Sequence, residues 1–310
     1  MLKKIEGETV IADAATEKKE DEKQSLFTAH IIRHSASQYK NYARVEKSET
    51  PTGPVDYKDQ VFDLTEQGIE IALQAAVKFF DQFDPQKDAF LFFSSEEDRS
   101  LSTTKIYLEE AERRGFEIIR HDEEKRSGKH VQDIPFEKIR VIRALGLSVK
   151  DALLIGIYNP DKYLRTDINW EALEEIDVKE KWMKSREIIN ADDQGSWWGN
   201  YYRHSEAIQQ LFPHAITAKD KFEKQFSQII KLIEHGAKVH QQNHLNHSKN
   251  IRVVGNSHVD VFGYFLNEYF QKENGNQEIE MKNCEEIRFR VDDDGKVIAQ
   301  FRDFEEKEIK

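Results

Sequence analysis

Residues 25–37 read SLFTAHIIRHSAS. The first eight form a short apolar run, the pattern of a strand buried on both faces. Arg33, His34 and Ser35 follow it at once. In an open parallel sheet, the residues just past the carboxyl end of a strand are the ones that meet a ligand. A basic pair at this place is therefore the first chemical signal in the chain. Two further apolar runs repeat the arrangement. Residues 88–93 (DAFLFF) lead into Ser94, Ser95 and then Arg99, and residues 251–255 (IRVVG) lead into Asn256, Ser257 and His258.

The segments between these runs carry helical spacing. Thr65 stands as an N-cap at the head of one, and Ile69, Ala72, Leu73, Ala76, Phe79 and Phe80 recur on one face before Asp84 and Pro85 end it. A second helix runs from about Asp98 to Arg114 and stops at Gly115. Residues 116–120 (FEIIR) read as a third strand and residues 259–270 as another helix. Near the C-terminus, residues 286–291 and 296–302 flank Asp292, Asp293, Asp294 and Gly295, a D-G turn between alternating strands, which makes a β-hairpin. The same turn lacks the spaced ligands and closing Glu of a Ca²⁺ loop. Strands alternating with helices imply an α/β class, three layers deep (α/β/α), on a mostly parallel sheet.

Residues 1–24 are charged, lack a sustained apolar period and read as a mobile tail. Residues 25–310 then form one α/β domain, interrupted at about 130–248 by a helical insertion that caps the core. That stretch holds all four Trp and has helical spacing over 136–145, 148–156, 170–190, 200–211 and 217–240. Trp182, Trp197, Trp198, Tyr201 and Tyr202 read as packing for the insertion, with a pocket lining as the alternative.

The bulk composition narrows the partners. Asp plus Glu number 58 against 46 Lys plus Arg, a net charge of −12. That balance argues against nucleic acid, whose partners carry a basic footprint, but leaves room for a local cluster of Arg and His around a phosphate. Cys284 is the single cysteine, so no internal disulfide is available. No stretch approaches the ~20 apolar residues of a membrane span, and the first residues lack the apolar core of a signal peptide. The expectation is a cytoplasmic protein with no membrane partner.

Three strand ends thus bring Arg33 and His34, Ser94 to Arg99, and Ser257 and His258 to one edge of a sheet. A neutral imidazole with one nitrogen held by a hydrogen bond has its other nitrogen available as a nucleophile. The planar, permanently charged fork of Arg suits the oxygens of a phosphate. Each residue alone has a plainer reading. His34 is then a buried histidine at a strand end, Arg99 a helix-surface ion pair with Asp98 or Glu96, and His258 an N-cap contact helped by Ser257. It is their convergence that favours a site.

These segments resemble those of the histidine phosphatase superfamily, the phosphoglycerate-mutase-like class. Residues 31–37 (IIRHSAS) are similar to its Arg-His-Gly-Glu-Ser segment, Leu64-Thr65-Glu66-Gln67-Gly68 to its Leu-Thr-Glu-x-Gly helix start, residues 94–103 to its Ser-Ser-Pro-Leu-x-Arg-Ala-x-x-Thr segment, and residues 253–258 (VVGNSH) to the strand leading to its second His. Order and spacing agree over about 26–124 and 250–302. The resemblance implies that His34 is the phosphate-accepting nucleophile and that Arg33, Arg99, His258 and Ser37 bind phosphoryl oxygens. It implies a substrate-binding role for Arg44, ten residues after His34. It also implies an acidic proton donor after the third strand, where Glu124, with Gly128 four residues on, competes with Asp122 and Glu123. The expected substrate is a small phosphorylated molecule, with no cofactor and no metal. Ser35, Ala36 and Val259 depart from the family's Gly, Glu and Gly. The expected reaction is hydrolysis of a phosphate monoester through phosphohistidine. The alternatives are a phosphoglycerate-mutase-type phosphotransferase and a catalytically silent phosphate-binding scaffold.

One further cluster has a chemical reading. His240, His244 and His247 fall on one helical face and match a Zn²⁺ or Ni²⁺ site. The Asn-rich surroundings favour an exposed polar connector instead.

Overall fold

A computed structural model describes residues 26–37, 64–120, 134–135, 137–142, 145, 176–191, 200–201, 203–211, 218–243, 248–275 and 277–309. Eight strands form one mixed sheet. The first is β1 (Phe27–Arg33). It is followed by α1 (Glu66–Phe80), β2 (Asp88–Ser94), α2 (Asp98–Arg113), β3 (Glu117–Ile118) and β4 (Ile139–Val141). Then come α3 (Ile176–Ala191), α4 (Ser205–Leu211), α5 (Ala218–Asn243), β5 (Asn250–Ser257) and α6 (Val259–Phe270). Strands β6 (Glu286–Val291), β7 (Val297–Phe301) and β8 (Lys307–Ile309) close the chain.

The strand order is β3-β2-β5-β1-β6-β7-β8, and β4 also pairs with β2. All pairings among β1 to β5 are parallel, and β6 to β8 are antiparallel. The expected α/β class and mostly parallel centre are therefore observed. Side chains alternate between two apolar layers, as strand geometry requires. Ile32, Phe90, Phe92 and Val254 face α1 and α2, together with Ile69, Phe79, Phe80 and Tyr107. Ala29, Ile31, Ile251 and Val253 face the other side, against Ile229, Ile233 and Ala237 of α5 and Phe262, Phe265 and Leu266 of α6.

Three departures from the sequence reading have physical causes. The helix expected over 136–145 is replaced at its centre by β4, because Ile139, Arg140 and Val141 pair with Phe92, Phe93 and Ser94 of β2. Sheet pairing of two β-branched residues outweighs a short helical spacing. Helix α5 falls within the stretch read as a cap, yet it lies directly on the sheet, with Ile229, Ile233 and Ala237 in the main core. The C-terminal hairpin, in turn, gains a third strand, β8, which pairs along β7. The turn itself is as expected, with Gly295 at φ +81° and the Asp292 carboxylate accepting from the Asp294 and Lys296 amides at 3.0 and 2.8 Å.

Helices α3 and α4 lie in the interval between β4 and β5. There Tyr201 and Ile208 are buried, and Asn200 Nδ2 donates to the Ile189 carbonyl at 3.1 Å. Trp182 falls on α3, and Trp197, Trp198 and Tyr202, and the helix expected over 148–156, lie outside the described residues. No helix among the described residues is long and apolar enough to cross a membrane.

Candidate active site

The carboxyl ends of β1, β2 and β5 lie side by side. Arg33 is opposite Ser257, and Ser94 is opposite Asn256. The register therefore delivers the residues that follow, His34, Ser95 and His258, to one place. The His34 amide donates to the Ser257 carbonyl at 2.9 Å, and the Ser95 amide to the Asn256 carbonyl at 3.0 Å. The His34 and His258 rings are centred 4.9 Å apart, inclined at 57°. Both residues are almost wholly buried, 1% and 3% exposed.

His34 Nδ1 lies 2.6 Å from the Ser35 carbonyl. A carbonyl only accepts, so the proton sits on Nδ1 and the lone pair on Nε2. Burial, helped by the Arg99 charge, pulls the imidazole down to about 3, so it is neutral at pH 7. His258 is likewise held well below the ordinary range, first by burial and then by the positive charge of Arg99, with His34 and Arg33 acting in the same direction. It occupies the N-cap position of α6 but makes no side-chain cap bond. Its Nδ1 instead accepts from Arg99 Nε at 3.2 Å, and its Nε2 meets Ser95 Oγ at 2.8 Å. The plain N-cap reading of His258 therefore fails. The ion-pair reading of Arg99 survives only in part, with Glu97 as the partner at 3.3 Å.

The Arg99 contact also decides what Ser95 can do. A serine nucleophile needs the histidine beside it to accept its proton. With Arg99 donating to Nδ1, the Nε2 facing Ser95 carries a proton and cannot act as that base.

Arg33 directs one terminal nitrogen to the Met281 carbonyl. Its Nε and the Ser37 hydroxyl are buried without a hydrogen-bond partner among the described residues. Two buried donors without acceptors among the described residues, at the strand end and the loop that carry His34, suit an oxyanion.

The loop after His34 is held by the start of α1. Thr65 caps α1 by accepting from the Gly68 amide at 2.9 Å, and its own amide donates to the Ala36 carbonyl at 3.1 Å. A Cβ at position 68 would lie 2.0 Å from that carbonyl oxygen, which explains a glycine three residues after the cap. Ser35 is fully buried and is accommodated here. Its hydroxyl donates to the Gly68 carbonyl at 2.6 Å, and its amide to Thr103 Oγ1 at 3.1 Å. Gly68→Ala is expected to cost about 3 kcal/mol, since the clash is with backbone and neither side can yield by a rotamer change. Urea unfolding measures it, and a loss below about 1 kcal/mol would show that the loop gives way.

The depressed histidine also sets a pH dependence. Between pH 6.5 and about 3 the native His34 binds less proton than the unfolded chain. Its contribution is therefore complete above pH 6.5 and is lost as the pH falls. At about pH 5 the loss from His34 alone is roughly 2 kcal/mol, and His258 adds to it in the same direction. Glu110, held low by the Arg113 hydrogen bond, acts similarly but only below the ordinary carboxylate value of 4.5. Unfolding midpoints compared at about pH 7.5 and 5 measure the loss above the range in which Glu110 acts, with Glu109, raised above 4.5 by burial, working the other way; equal midpoints would count against neutral burial of the pair.

Of the residues singled out in the sequence, His34, Arg33, Arg99 and His258 come together, with Ser37 on the adjoining loop. Glu124, Asp122, Glu123 and Arg44 lie outside the described residues. So do His244 and His247, while His240 is buried against Phe27. The sequence reading missed Ser95 and Ser100 as partners of His258, because a serine beside an arginine carries no signal until the strand ends are aligned.

Fold and site together define an α/β protein with a buried, neutral histidine pair and flanking arginines at the carboxyl edge of its parallel strands. No family model matches the chain, and no curated protein matches it. Among solved structures it is similar to phosphoglycerate mutase from Bacillus anthracis str. Sterne, at 13% identity and a TM-score of 0.41, over 89% of this chain and 91% of the other. It is also similar to a phosphoserine phosphatase from Entamoeba histolytica in complex with 3-phosphoglyceric acid, at 14% identity and a TM-score of 0.38, over 90% and 98%. A mycobacterial glucosyl-3-phosphoglycerate phosphatase shows 11% identity and a TM-score of 0.32, over 89% and 98%. At such scores the likeness is loose, and the functional reading rests on the site geometry.

Proposed function

We propose that this chain is a histidine phosphatase that hydrolyses a phosphate monoester through a phosphohistidine at His34. The observation that carries the reading is the histidine pair. His34 is neutral, its Nδ1 proton is committed to the Ser35 carbonyl, and its ring stands 4.9 Å from a second buried histidine that is bonded to Arg99. In the first step the His34 Nε2 lone pair forms a bond to phosphorus while the bond from phosphorus to the leaving oxygen breaks. The leaving oxygen takes a proton from an acid, the role assigned to Glu124 by the family resemblance. Water then attacks phosphorus, the P–N bond breaks, the resulting carboxylate recovers a proton and inorganic phosphate departs. Arg33, Arg99 and His258 offset charge on the non-bridging oxygens in both steps, and removing one such donor costs about 10²–10³ in rate. A small phosphorylated substrate in the cytoplasm fits this reading, with no metal required.

The test is turnover of a panel of phosphate monoesters, begun with an aryl phosphate, in buffer with and without EDTA. It is combined with acid-labile labelling by a ³²P-phosphoryl substrate. Turnover insensitive to EDTA, with label at His34, supports the proposal. Absence of both turnover and label overturns it and leaves a phosphate-binding scaffold.

A further inference from the structure

His258 is gripped at both ring nitrogens, and the two grips respond differently to a proton. At Nδ1 the partner is Arg99 Nε, 3.2 Å away. A guanidinium only donates, so in the neutral ring Nδ1 carries the lone pair and Nε2 the proton. At Nε2 two hydroxyls converge, Ser95 Oγ at 2.8 Å and Ser100 Oγ at 3.3 Å. Both serines are 0% exposed. They come from different places in the chain, Ser95 directly after β2 and Ser100 in the first turn of α2. Each stands on pinned backbone, since the Ser95 amide donates to Asn256 and the Ser100 amide to Glu97, at 3.0 and 2.9 Å.

We propose that Ser95 and Ser100 are positioning residues that accept the His258 Nε2–H and hold the ring, in the tautomer that Arg99 sets, when it takes up a proton. A second proton has only Nδ1 to go to, and a protonated Nδ1 no longer accepts from Arg99. The Nε2–H goes on donating to the serines. The serine grip therefore holds in both charge states, whereas the Arg99 contact belongs to the neutral ring alone. A dianionic oxyanion beside His258 favours the imidazolium. Its arrival transfers Arg99 from the imidazole to the oxyanion without letting the ring turn. The charged and titratable groups around His258 are Arg99, paired with Glu97, on α2 and Arg33 and His34 at the end of β1. The inference rests on the phosphatase reading only where it concerns rate.

The experiment is long-range ¹H–¹⁵N spectroscopy of the imidazoles in wild type, Ser95→Ala, Ser100→Ala and the double variant, with and without tungstate at about pH 7. The wild-type His258 is expected to be protonated at Nε2 alone, and at both nitrogens once tungstate binds. The double variant is expected to keep Nε2–H when free, to fail to hold both protons when tungstate binds, and to show a kcat lower by about 10- to 100-fold, with KM moved less than about threefold. If the double variant does not fold, each single variant is expected to show part of both losses. A free wild-type ring protonated at Nδ1, a wild-type ring left neutral by bound tungstate, or variants with wild-type protonation on tungstate and wild-type kcat would overturn the proposal. The spectra need no turnover. An inactive wild type therefore sinks the phosphatase reading and leaves this one to be judged on the ring alone.

Discussion

His34→Asn is expected to lower phosphatase turnover by about 10⁴-fold or more while the protein stays folded. Asparagine is the informative choice. Its amide N–H can replace Nδ1–H as donor to the Ser35 carbonyl, which now receives His34 at 2.6 Å. It fills much of the space of a side chain that is 1% exposed. It has no nitrogen lone pair to attack phosphorus, because the amide nitrogen is delocalised. Loss of rate with retained tungstate binding therefore assigns the loss to chemistry and not to collapse of the site. His34→Ala is expected to lose as much rate, but it leaves a larger cavity where the ring was and no donor for the Ser35 carbonyl. Steady-state kinetics and acid-quenched labelling read the outcome. More than a tenth of wild-type turnover in the Asn variant, or a surviving phosphohistidine label, would place the nucleophile elsewhere.

The second large effect lies at the opposite end of the same strands. Asp88→Ala is expected to destabilise the fold by about 3–5 kcal/mol, because it leaves the charge of Arg252 buried without its counter-ion. Asp88 and Arg252 are 2% and 1% exposed, and the Arg252 Nε donates to Asp88 Oδ1 at 2.8 Å. The same carboxylate accepts from Asn250 Nδ2 at 3.1 Å and, through Oδ2, from the Asp84 amide at 3.0 Å. Arg252 reaches on to Thr28 Oγ1 at 3.1 Å and lies 5.7 Å from the centre of the Phe83 ring. One substitution therefore strands several groups at once. Replacing both partners by apolar residues, Asp88→Leu with Arg252→Met, is expected to cost much less than Asp88→Ala alone, since no charge remains to desolvate. Urea midpoints of the two variants decide it. A double variant as unstable as the single one would mean that the ion pair contributes net stability of its own.

This ion pair shows where a reading of residues runs out. Residues 88–93 and 251–255 declare themselves as buried strands because they are dense in Phe, Val and Ile. Asp88 and Arg252 look like their polar ends. Only the parallel pairing of Ala89 with Ile251 and Phe90 with Arg252 sets the arginine against the carboxylate of the next strand. Residues 139–141 show a similar limit. Their helical spacing is real, but a three-residue strand depends on a partner 47 positions earlier, where Ile139 meets Phe92. Glu124 rests on spacing in a charged run and lies outside the described residues.

By itself the sequence determined the class of fold and the ingredients of the site. Apolar runs bounded by helical spacing can be satisfied only by a layered sheet, and Arg33, His34, Arg99 and His258 each follow such a run or open the next helix. What only the tertiary structure decided is the state of those ingredients. The Ser35 carbonyl determines which nitrogen of His34 holds its proton, Arg99 does the same for His258, and burial keeps both rings neutral. Tautomer and charge depend on neighbours brought together by strand register, from positions up to 224 residues apart in the chain, and no local pattern of residues encodes them.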